Sequence, residues 1–471
     1  MHFVWFNCIF FTSRFVCGVF LTRNLCFSYN ISLRVKKVEK FVIEGGKKLF
    51  GKVEISCAKN ACLPLISASL LCENVFLHGV PKIADVCVMA DIFKSLGGSC
   101  EFCGGGLKLR SKNVNKCEPD ENKSKNIRAS LFFTGALLAR FKKAVVYKPG
   151  GCNIGSRPID IHVSGLAALG AVCKEEKNKY IFNGENMRAG KVVLRYPSVG
   201  ATINLIEAAV LLQGETVIKN AAKEPEILCL CNFLNSCGFK IYGGGTSEII
   251  VDGVQKISCG SRVSFEPIKD RIEAGTFMCA CAACGGEISL ITEKSGVIQT
   301  VNFLRRAGGE ISETLCESER DRRFGDGLGG GLCEFWVRFK NRPRCASVKA
   351  DVFPSFATDM QPLAVAALLK SLGESVVSDD VYGGRFAYAE ELKKFGAEIE
   401  ILKGKARVFG VEKLRGASVT AGDLRGGAAL VLAAVSANGK SEVSGAEKIR
   451  RGYENFDQKL RLIGADVKHV F

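Results

Sequence analysis

The stretch Lys148-Pro-Gly-Gly-Cys-Asn-Ile-Gly-Ser-Arg-Pro-Ile-Asp-Ile-His162 puts a thiol, Cys152, among Gly150, Gly151 and Gly155 and between Pro149 and Pro158. No regular element runs through such a loop, and its backbone can approach a ligand closely. Arg157 and His162 follow within ten residues. A thiol beside cations can serve as an acid, a nucleophile or a redox group, and each use depends on its proton affinity. The same composition also describes any turn, so Cys152 reads equally as one more thiol in a chain that holds 22.

Further charged residues stand in short segments between apolar runs. Lys59-Asn60 follows Ile55-Ser-Cys-Ala58, and Arg128 opens Arg-Ala-Ser-Leu-Phe-Phe133, which reads as the start of a helix. Asp359 lies in Phe353-Pro-Ser-Phe-Ala-Thr-Asp-Met-Gln-Pro362, a proline-bounded turn before a helix, and Arg385 and Arg425 lie at later turns. Singly these are a surface lysine, a helix cap and solvated arginines. Together they would bring four cations, a thiol and a carboxylate to one cleft.

The elements that must position these residues recur through the chain. Small, apolar, helix-like runs each lead through a turn into a strand: Ser67–Leu71 to Phe76, Gly135–Ala139 to Val145, Ala208–Leu212 to Val217, Cys279–Ala283 to Ile288, Val365–Leu369 to Val376, and Leu432–Val435 to Val443. Interleaved with them are amphipathic helices that stop at Gly97, Gly170, Gly238, Gly308, Gly396 and Gly464, where glycine supplies the left-handed terminator. These glycines are separated by 73, 68, 70, 88 and 68 residues. The pattern predicts an α/β fold of six units of about seventy residues, three to a domain, with a ligand cleft between the two domains. The long fourth interval contains Gly325-Asp-Gly-Leu-Gly-Gly-Gly331, whose G-x-G-x-x-G match lacks the preceding strand of a dinucleotide site and reads as a loop insertion.

Composition narrows the partners. With 471 residues, 47% hydrophobic and 24% charged, the chain has room for two full cores. Its net charge of +17 points to anionic partners. Beyond residue 37 no block of five or six consecutive basic residues appears, and the aromatics are not interleaved with Lys and Arg, so no nucleic-acid groove is expected. The cysteines are scattered as in a reduced cytosolic protein. Cys100-Glu-Phe-Cys103 has zinc-knuckle spacing but no second pair, and Cys279, Cys281 and Cys284 fall in an alanine-rich helical run where cysteine is a small apolar filler. No metal is expected.

Residues 1–37 stand apart: they contain five basic residues and no acid. Arg14 and Arg23 cut the apolar run into pieces too short to span a bilayer, and the layout of a signal peptide is missing. Two readings stay open, a membrane-associating leader and a translation start near Val38. No stable membrane insertion is expected.

From about Lys40 to Val470 the chain resembles the enolpyruvyl transferases. The resemblance rests on Ala58-Lys-Asn-Ala61, Arg128-Ala-Ser130, Pro149-Gly-Gly-Cys-Asn-Ile-Gly155, Arg157-Pro158, Ser198-Val-Gly-Ala-Thr202, Glu224-Pro-Glu-Ile227, Asp270-Arg-Ile-Glu273, Thr358-Asp-Met-Gln361, Asp423-Leu-Arg425 and Arg451-Gly-Tyr-Glu454. It implies a two-domain inside-out α/β barrel with three repeats per domain. The chain would cross near Cys57 and Ile268, giving one domain at 59–267 and a discontinuous one at 38–58 plus 268–471.

The activity implied is transfer of the enolpyruvyl group of phosphoenolpyruvate to the 3-hydroxyl of UDP-N-acetylglucosamine in the cytoplasm, the opening step of bacterial cell-wall precursor synthesis, with no cofactor. By the same resemblance Cys152 protonates the methylene carbon and is the thiol that fosfomycin alkylates. Asp359 takes the hydroxyl proton, and Lys59, Asn60, Arg157 and Arg425 hold phosphoenolpyruvate. The nucleotide sugar is met by Arg128, Arg157, Pro158, Ile159, Asp160, Ile161, Ser198, Val199, Gly200, Asp359 and Val381.

Several positions depart from the family pattern. Cys57 stands where glycine is usual, Tyr196-Pro197 replaces a lysine-containing pair, Cys229 replaces an aspartate, and Gly383-Gly384 replace an acidic residue and asparagine before Arg385. Two alternatives are weighed against the resemblance. The loop cysteine and Ser198–Thr202 argue against 5-enolpyruvylshikimate-3-phosphate synthase, which shares the fold. The joint presence of Lys59, Cys152, Arg157, Asp359 and Arg425 argues against a nucleic-acid or membrane-surface binder that has lost catalysis.

Overall fold

The computed structural model describes residues 39–148, 158–255, 262–316 and 331–471. The leader, the Cys152 loop with Arg157, and the Gly325–Gly330 stretch lie outside them. Buried apolar side chains gather into two clusters, one drawn from Cys57 to Ile268, the other from Phe41 to Ile55 and from Ile272 to Val467.

At the centre of the first cluster run the helices Lys59–Ala68, Phe133–Phe141 and Val199–Ala209. At the centre of the second run Arg271–Cys284, Gln361–Leu368 and Leu424–Ser436. These sequences are apolar or small on every side, so they have no face to give to water and must be enclosed. All thirteen residues of Leu424–Ser436 are buried. A Cβ at Gly135 would come within 2.3 Å of the Asn204 carbonyl, so the helices that carry these two residues touch backbone to backbone.

Among the described residues six sheets surround these helices, five of four strands and one of three. Strands such as Glu374–Asp379 and Gly439–Ser444 bury alternate residues, one face on a helix and the other toward water. Parallel and antiparallel pairings mix: Gly286–Glu293 runs antiparallel to Leu332–Phe339 and parallel to Leu49–Val53. The chain is a mixed α/β fold. The glycines read as terminators all have positive φ: 103° at Gly97, 97° at Gly170, 93° at Gly238, 91° at Gly308, 86° at Gly396 and 95° at Gly464.

One expectation is corrected. Arg128–Phe132 is a 3-10 turn, and the α-helix begins at Phe133. Ser130 Oγ donates back to the carbonyls of Ser124 (3.0 Å) and Ile127 (2.8 Å), a local bond that competes with regular α-helical pairing.

The chain passes between the two clusters along adjacent segments. Cys57 bridges Lys269 antiparallel, Ala58 N donates to the Ile268 carbonyl (2.7 Å), and Asp270 N donates to the Ser56 carbonyl (2.8 Å). Lys459 Nζ fastens this junction by donating to Ser56 Oγ and Glu273 Oε1, each at 2.7 Å.

Among the described residues no helix is long and apolar enough to cross a membrane, and no three His, Cys, Asp or Glu side chains are grouped to hold a metal ion. Cys279, Cys281 and Cys284 lie on the helix Arg271–Cys284, with Cys279 and Cys281 fully buried among apolar neighbours. Cys100 and Cys103 lie on the strand Ser99–Cys103.

Candidate active site

The six central helices, two of them through a leading 3-10 turn, begin at the same place. Lys59 and Asn60, the Arg128–Phe132 turn, Ser198 to Gly200, Arg271, Thr358-Asp359, and Asp423 to Arg425 all line one cavity of about 420 Å³. Helix N-termini carry unpaired N–H groups and partial positive charge, so six of them facing one space make it a site for anions. Caps fix several of these starts. Ser198 Oγ accepts from Ala201 N (3.4 Å), and Asp423 Oδ1 accepts from Arg425 N and Gly426 N, each at 3.0 Å. Asp270 holds two helices at once: Oδ1 accepts from Ile272 N (2.8 Å) and Glu273 N (3.0 Å), and Oδ2 accepts from Lys59 N (3.2 Å).

Asp359 stands between two arginines. Its Oδ1 lies 2.9 Å from Arg385 Nη1 and its Oδ2 3.2 Å from Arg425 Nε. Burial pushes the carboxyl up, but the charges of Arg425, Arg385 and Lys59 outweigh it and hold it far below the usual carboxylate range. Arg425 is 1% exposed, its guanidinium lies over the Tyr453 ring at 5.1 Å, and among the described residues no acceptor meets its Nη1 and Nη2 in hydrogen-bond geometry. Tyr453 is held by a 2.8 Å bond between its hydroxyl and Thr276 Oγ1. A buried, fully charged guanidinium with two unmet nitrogens is set to receive an acceptor.

A second carboxylate spans two more cations. Asp85 Oδ2 pairs with Lys59 Nζ (3.2 Å), and Oδ1 accepts from Arg451 Nε (2.8 Å). Glu226 pairs with Arg271 at 3.0 Å, and burial pushes the neighbouring Glu224 up to about 7. His162 is also buried in the wall. Its Nδ1 lies 2.8 Å from Asn204 Nδ2, and burial, then the nearby Arg128 charge, push it down to about 4, so the ring is neutral at physiological pH.

Of the residues singled out in the sequence, Lys59, Asn60, Arg128, Ser198, Val199, Gly200, Asp359, Val381 and Arg425 come together on this cavity. Pro158, Ile159, Asp160 and Ile161 do not line it; they adjoin it through Arg128 Nη2, which donates to the Pro158 carbonyl at 3.4 Å. Asp160, whose helix starts there, is paired with Arg195. Cys152 and Arg157 lie outside the described residues. Sequence reading gave no role to Asp85, Glu226, Arg271, Asp423 or Arg451. Four of these five sit inside the quoted motifs, and for Arg271 and Asp423 the available signal was a capping residue just ahead of an apolar helical run.

Two of the departures, at Gly383-Gly384 and at Cys57, are accommodated. Arg385 keeps its hold on Asp359, and an added Cβ at Gly384 would meet nothing within 4 Å. Cys57 is 2% exposed and donates to the Pro267 carbonyl at 3.4 Å, filling the space beside Gly79.

Comparison with known proteins places this geometry. The family described as EPSP synthase (3-phosphoshikimate 1-carboxyvinyltransferase) matches residues 43–460. UDP-N-acetylglucosamine 1-carboxyvinyltransferase 2 of Caldanaerobacter subterraneus is 40% identical over 433 residues, covering 92% of this chain and 99% of that protein. UDP-N-acetylglucosamine 1-carboxyvinyltransferase 1 of Carboxydothermus hydrogenoformans is 41% identical over 441 residues with the same coverage. Among solved structures, the enolpyruvyl transferase NikO of Streptomyces tendae superposes with a TM-score of 0.79 at 19% identity, covering 92% of this chain and 99% of that one. EPSP synthase of Acinetobacter baumannii gives 0.66 at 16% identity, covering 92% and 100%. A match across nearly the whole chain, to proteins matched over nearly their whole length, leads to one conclusion: the chain belongs to the EPSP synthase family of enolpyruvyl transferases.

Proposed function

We propose that this chain transfers the enolpyruvyl group of phosphoenolpyruvate to the 3-hydroxyl of UDP-N-acetylglucosamine, releasing phosphate, and so opens peptidoglycan precursor synthesis in the cytoplasm. The observation that carries this reading is Arg425, fully buried on the cavity wall with two guanidinium nitrogens unmet among the described residues. A buried charge in that state calls for an anion, and phosphoenolpyruvate offers both a phosphate and a carboxylate. The six convergent helix starts and the relatives named for this reaction support it.

In this mechanism Lys59, Asn60, Arg157 and Arg425 hold phosphoenolpyruvate, and Arg128, Pro158 to Ile161, Ser198 to Gly200 and Val381 hold the nucleotide sugar. Cys152 gives a proton to the methylene carbon while the sugar hydroxyl adds to the central carbon and Asp359 takes its proton. The tetrahedral adduct then loses phosphate, which departs with the proton held by Asp359, and the Cys152 thiolate takes a proton back from the new methyl group, restoring the double bond and both protein groups. Paired with Arg385 and Arg425 alone, Asp359 is a weak base. An anion bound to the same cations offsets their charge and raises its proton affinity, so substrate binding readies the acceptor.

The architecture we propose is a two-domain inside-out barrel, each domain built of three units of about seventy residues. One domain spans 59–267, the other 38–58 with 268–471. The two apolar clusters and the six terminator glycines support this division.

The test is phosphate release by the full chain given phosphoenolpyruvate with UDP-N-acetylglucosamine, with shikimate 3-phosphate, or alone. Release only with the nucleotide sugar is expected. Release only with shikimate 3-phosphate would move the chain to the other activity of the fold.

A further inference from the structure

Asp379 ends the strand Glu374–Asp379, 1% exposed and one layer behind the cavity wall. Its carboxylate is used completely. Oδ2 accepts from Thr358 Oγ1 at 2.6 Å, and Oδ1 accepts from the backbone N–H groups of Val381 (2.9 Å) and Tyr382 (2.8 Å). Thr358 immediately precedes Asp359, and its carbonyl accepts from the same Arg385 Nη1 that pairs with Asp359, at 3.3 Å. Val381 and Tyr382 are cavity-wall residues on a separate loop.

From this geometry we infer that Asp379 is a positioning residue that locks two walls of the site to each other: the turn that aims the Asp359 carboxylate and the Val381-Tyr382 loop. A charged acceptor with three short donors in a site closed to water is a stiff joint. Arg385 Nη1, which reaches the Thr358 carbonyl at 3.3 Å and Asp359 Oδ1 at 2.9 Å, holds the turn from its other side. The inference rests on the proposed role of Asp359 as proton acceptor, since aim matters only for a group that reacts.

Two substitutions separate the joint's halves. Thr358→Val keeps the side-chain shape and removes only the bond to the Asp359 turn. It is expected to lower kcat by about 10- to 100-fold, the scale on which a misplaced reacting group is felt, with the KM for both substrates within about threefold of wild type. Thr358→Ser, which restores the hydroxyl, is expected to recover most of kcat. Asp379→Ala releases the loop as well, so the nucleotide-sugar KM rises along with the fall in kcat.

A merely structural role would move melting temperature without that split between kcat and KM. Wild-type kcat in a folded Thr358→Val protein overturns the inference even if Asp379→Ala does not fold. Asp359→Asn is the control for the underlying reading. Full activity there removes Asp359 from the chemistry, whereas an inactive Asp359→Asn beside an unaffected Thr358→Val removes only the joint.

Discussion

Arg425 Nε lies 3.2 Å from Asp359 Oδ2, while among the described residues the two terminal nitrogens of the same guanidinium are unmatched. One arginine thus holds a carboxylate of the protein on one edge and keeps the other edge for a ligand. Arg425→Lys retains the charge and loses the fork. The KM for phosphoenolpyruvate is expected to rise by about tenfold or more, the value of one lost charge-assisted hydrogen bond, with a smaller change for the nucleotide sugar. Steady-state kinetics with each substrate varied in turn checks this, and equal rises for both would place Arg425 outside the phosphoenolpyruvate subsite.

Glu224 sets a pH dependence of stability. Burial raises its folded pKa to about 7, so the folded protein binds this proton more tightly than the unfolded chain does. The contribution is fully present below an unfolded pKa of about 4.3 and is lost as pH rises through about 7. The loss amounts to about 4 kcal/mol, converted at about 1.4 kcal/mol per unit. Glu224→Gln should flatten the decline between about pH 4 and 7 in denaturant titrations. An unchanged slope would show that Glu224 ionises freely in the folded state.

Cys152→Ala should abolish phosphate release and leave the melting temperature unchanged, because the thiol stands in a Gly-Pro-rich stretch of the sequence and not in an apolar run. Fosfomycin, whose epoxide the thiolate opens with retention of the whole molecule, should add its full mass to the wild type and nothing to the variant. Undiminished turnover in Cys152→Ala would assign the proton to another group.

At Gly200 the arrangement leaves no room for a side chain, since an added Cβ would lie 2.8 Å from His162 Cε1. His162 is 8% exposed and held by Asn204, so it yields little. Gly200→Ala should therefore cost about 1–3 kcal/mol of stability and raise the nucleotide-sugar KM. A melt and a KM that both match wild type would mean that His162 moves aside freely.

Local features were legible in the sequence because single residues encode them. A glycine that ends a helix needs only its own φ, and all six terminators from Gly97 to Gly464 were readable that way. Helices buried on every side announce themselves by composition, as in Leu424–Ser436. Pairings were not legible. Asp359 meets Arg385 and Arg425 across 26 and 66 positions, and Asp85 meets Arg451 across 366. Nothing in the local pattern of either partner records the other. The short bonds of Ser130 that turn Arg128–Phe132 into a 3-10 segment were equally hidden, because Ser130 is unremarkable until its hydroxyl finds the carbonyls of Ser124 and Ile127.

Most cysteines of the described residues are enclosed, and enclosure changes what the chain is chemically. Burial lifts Cys100, Cys231, Cys281 and Cys284 to about 12 and pushes Cys62 and Cys279 well up, so at neutral pH these sulfurs stay protonated and slow toward electrophiles. Cys345 is the exposed thiol among the described residues. A thiol reagent therefore finds little to react with at these six positions, whatever the cysteine count suggests. In a Cys345→Ser protein, maleimide labelling at neutral pH should therefore draw little from these six positions.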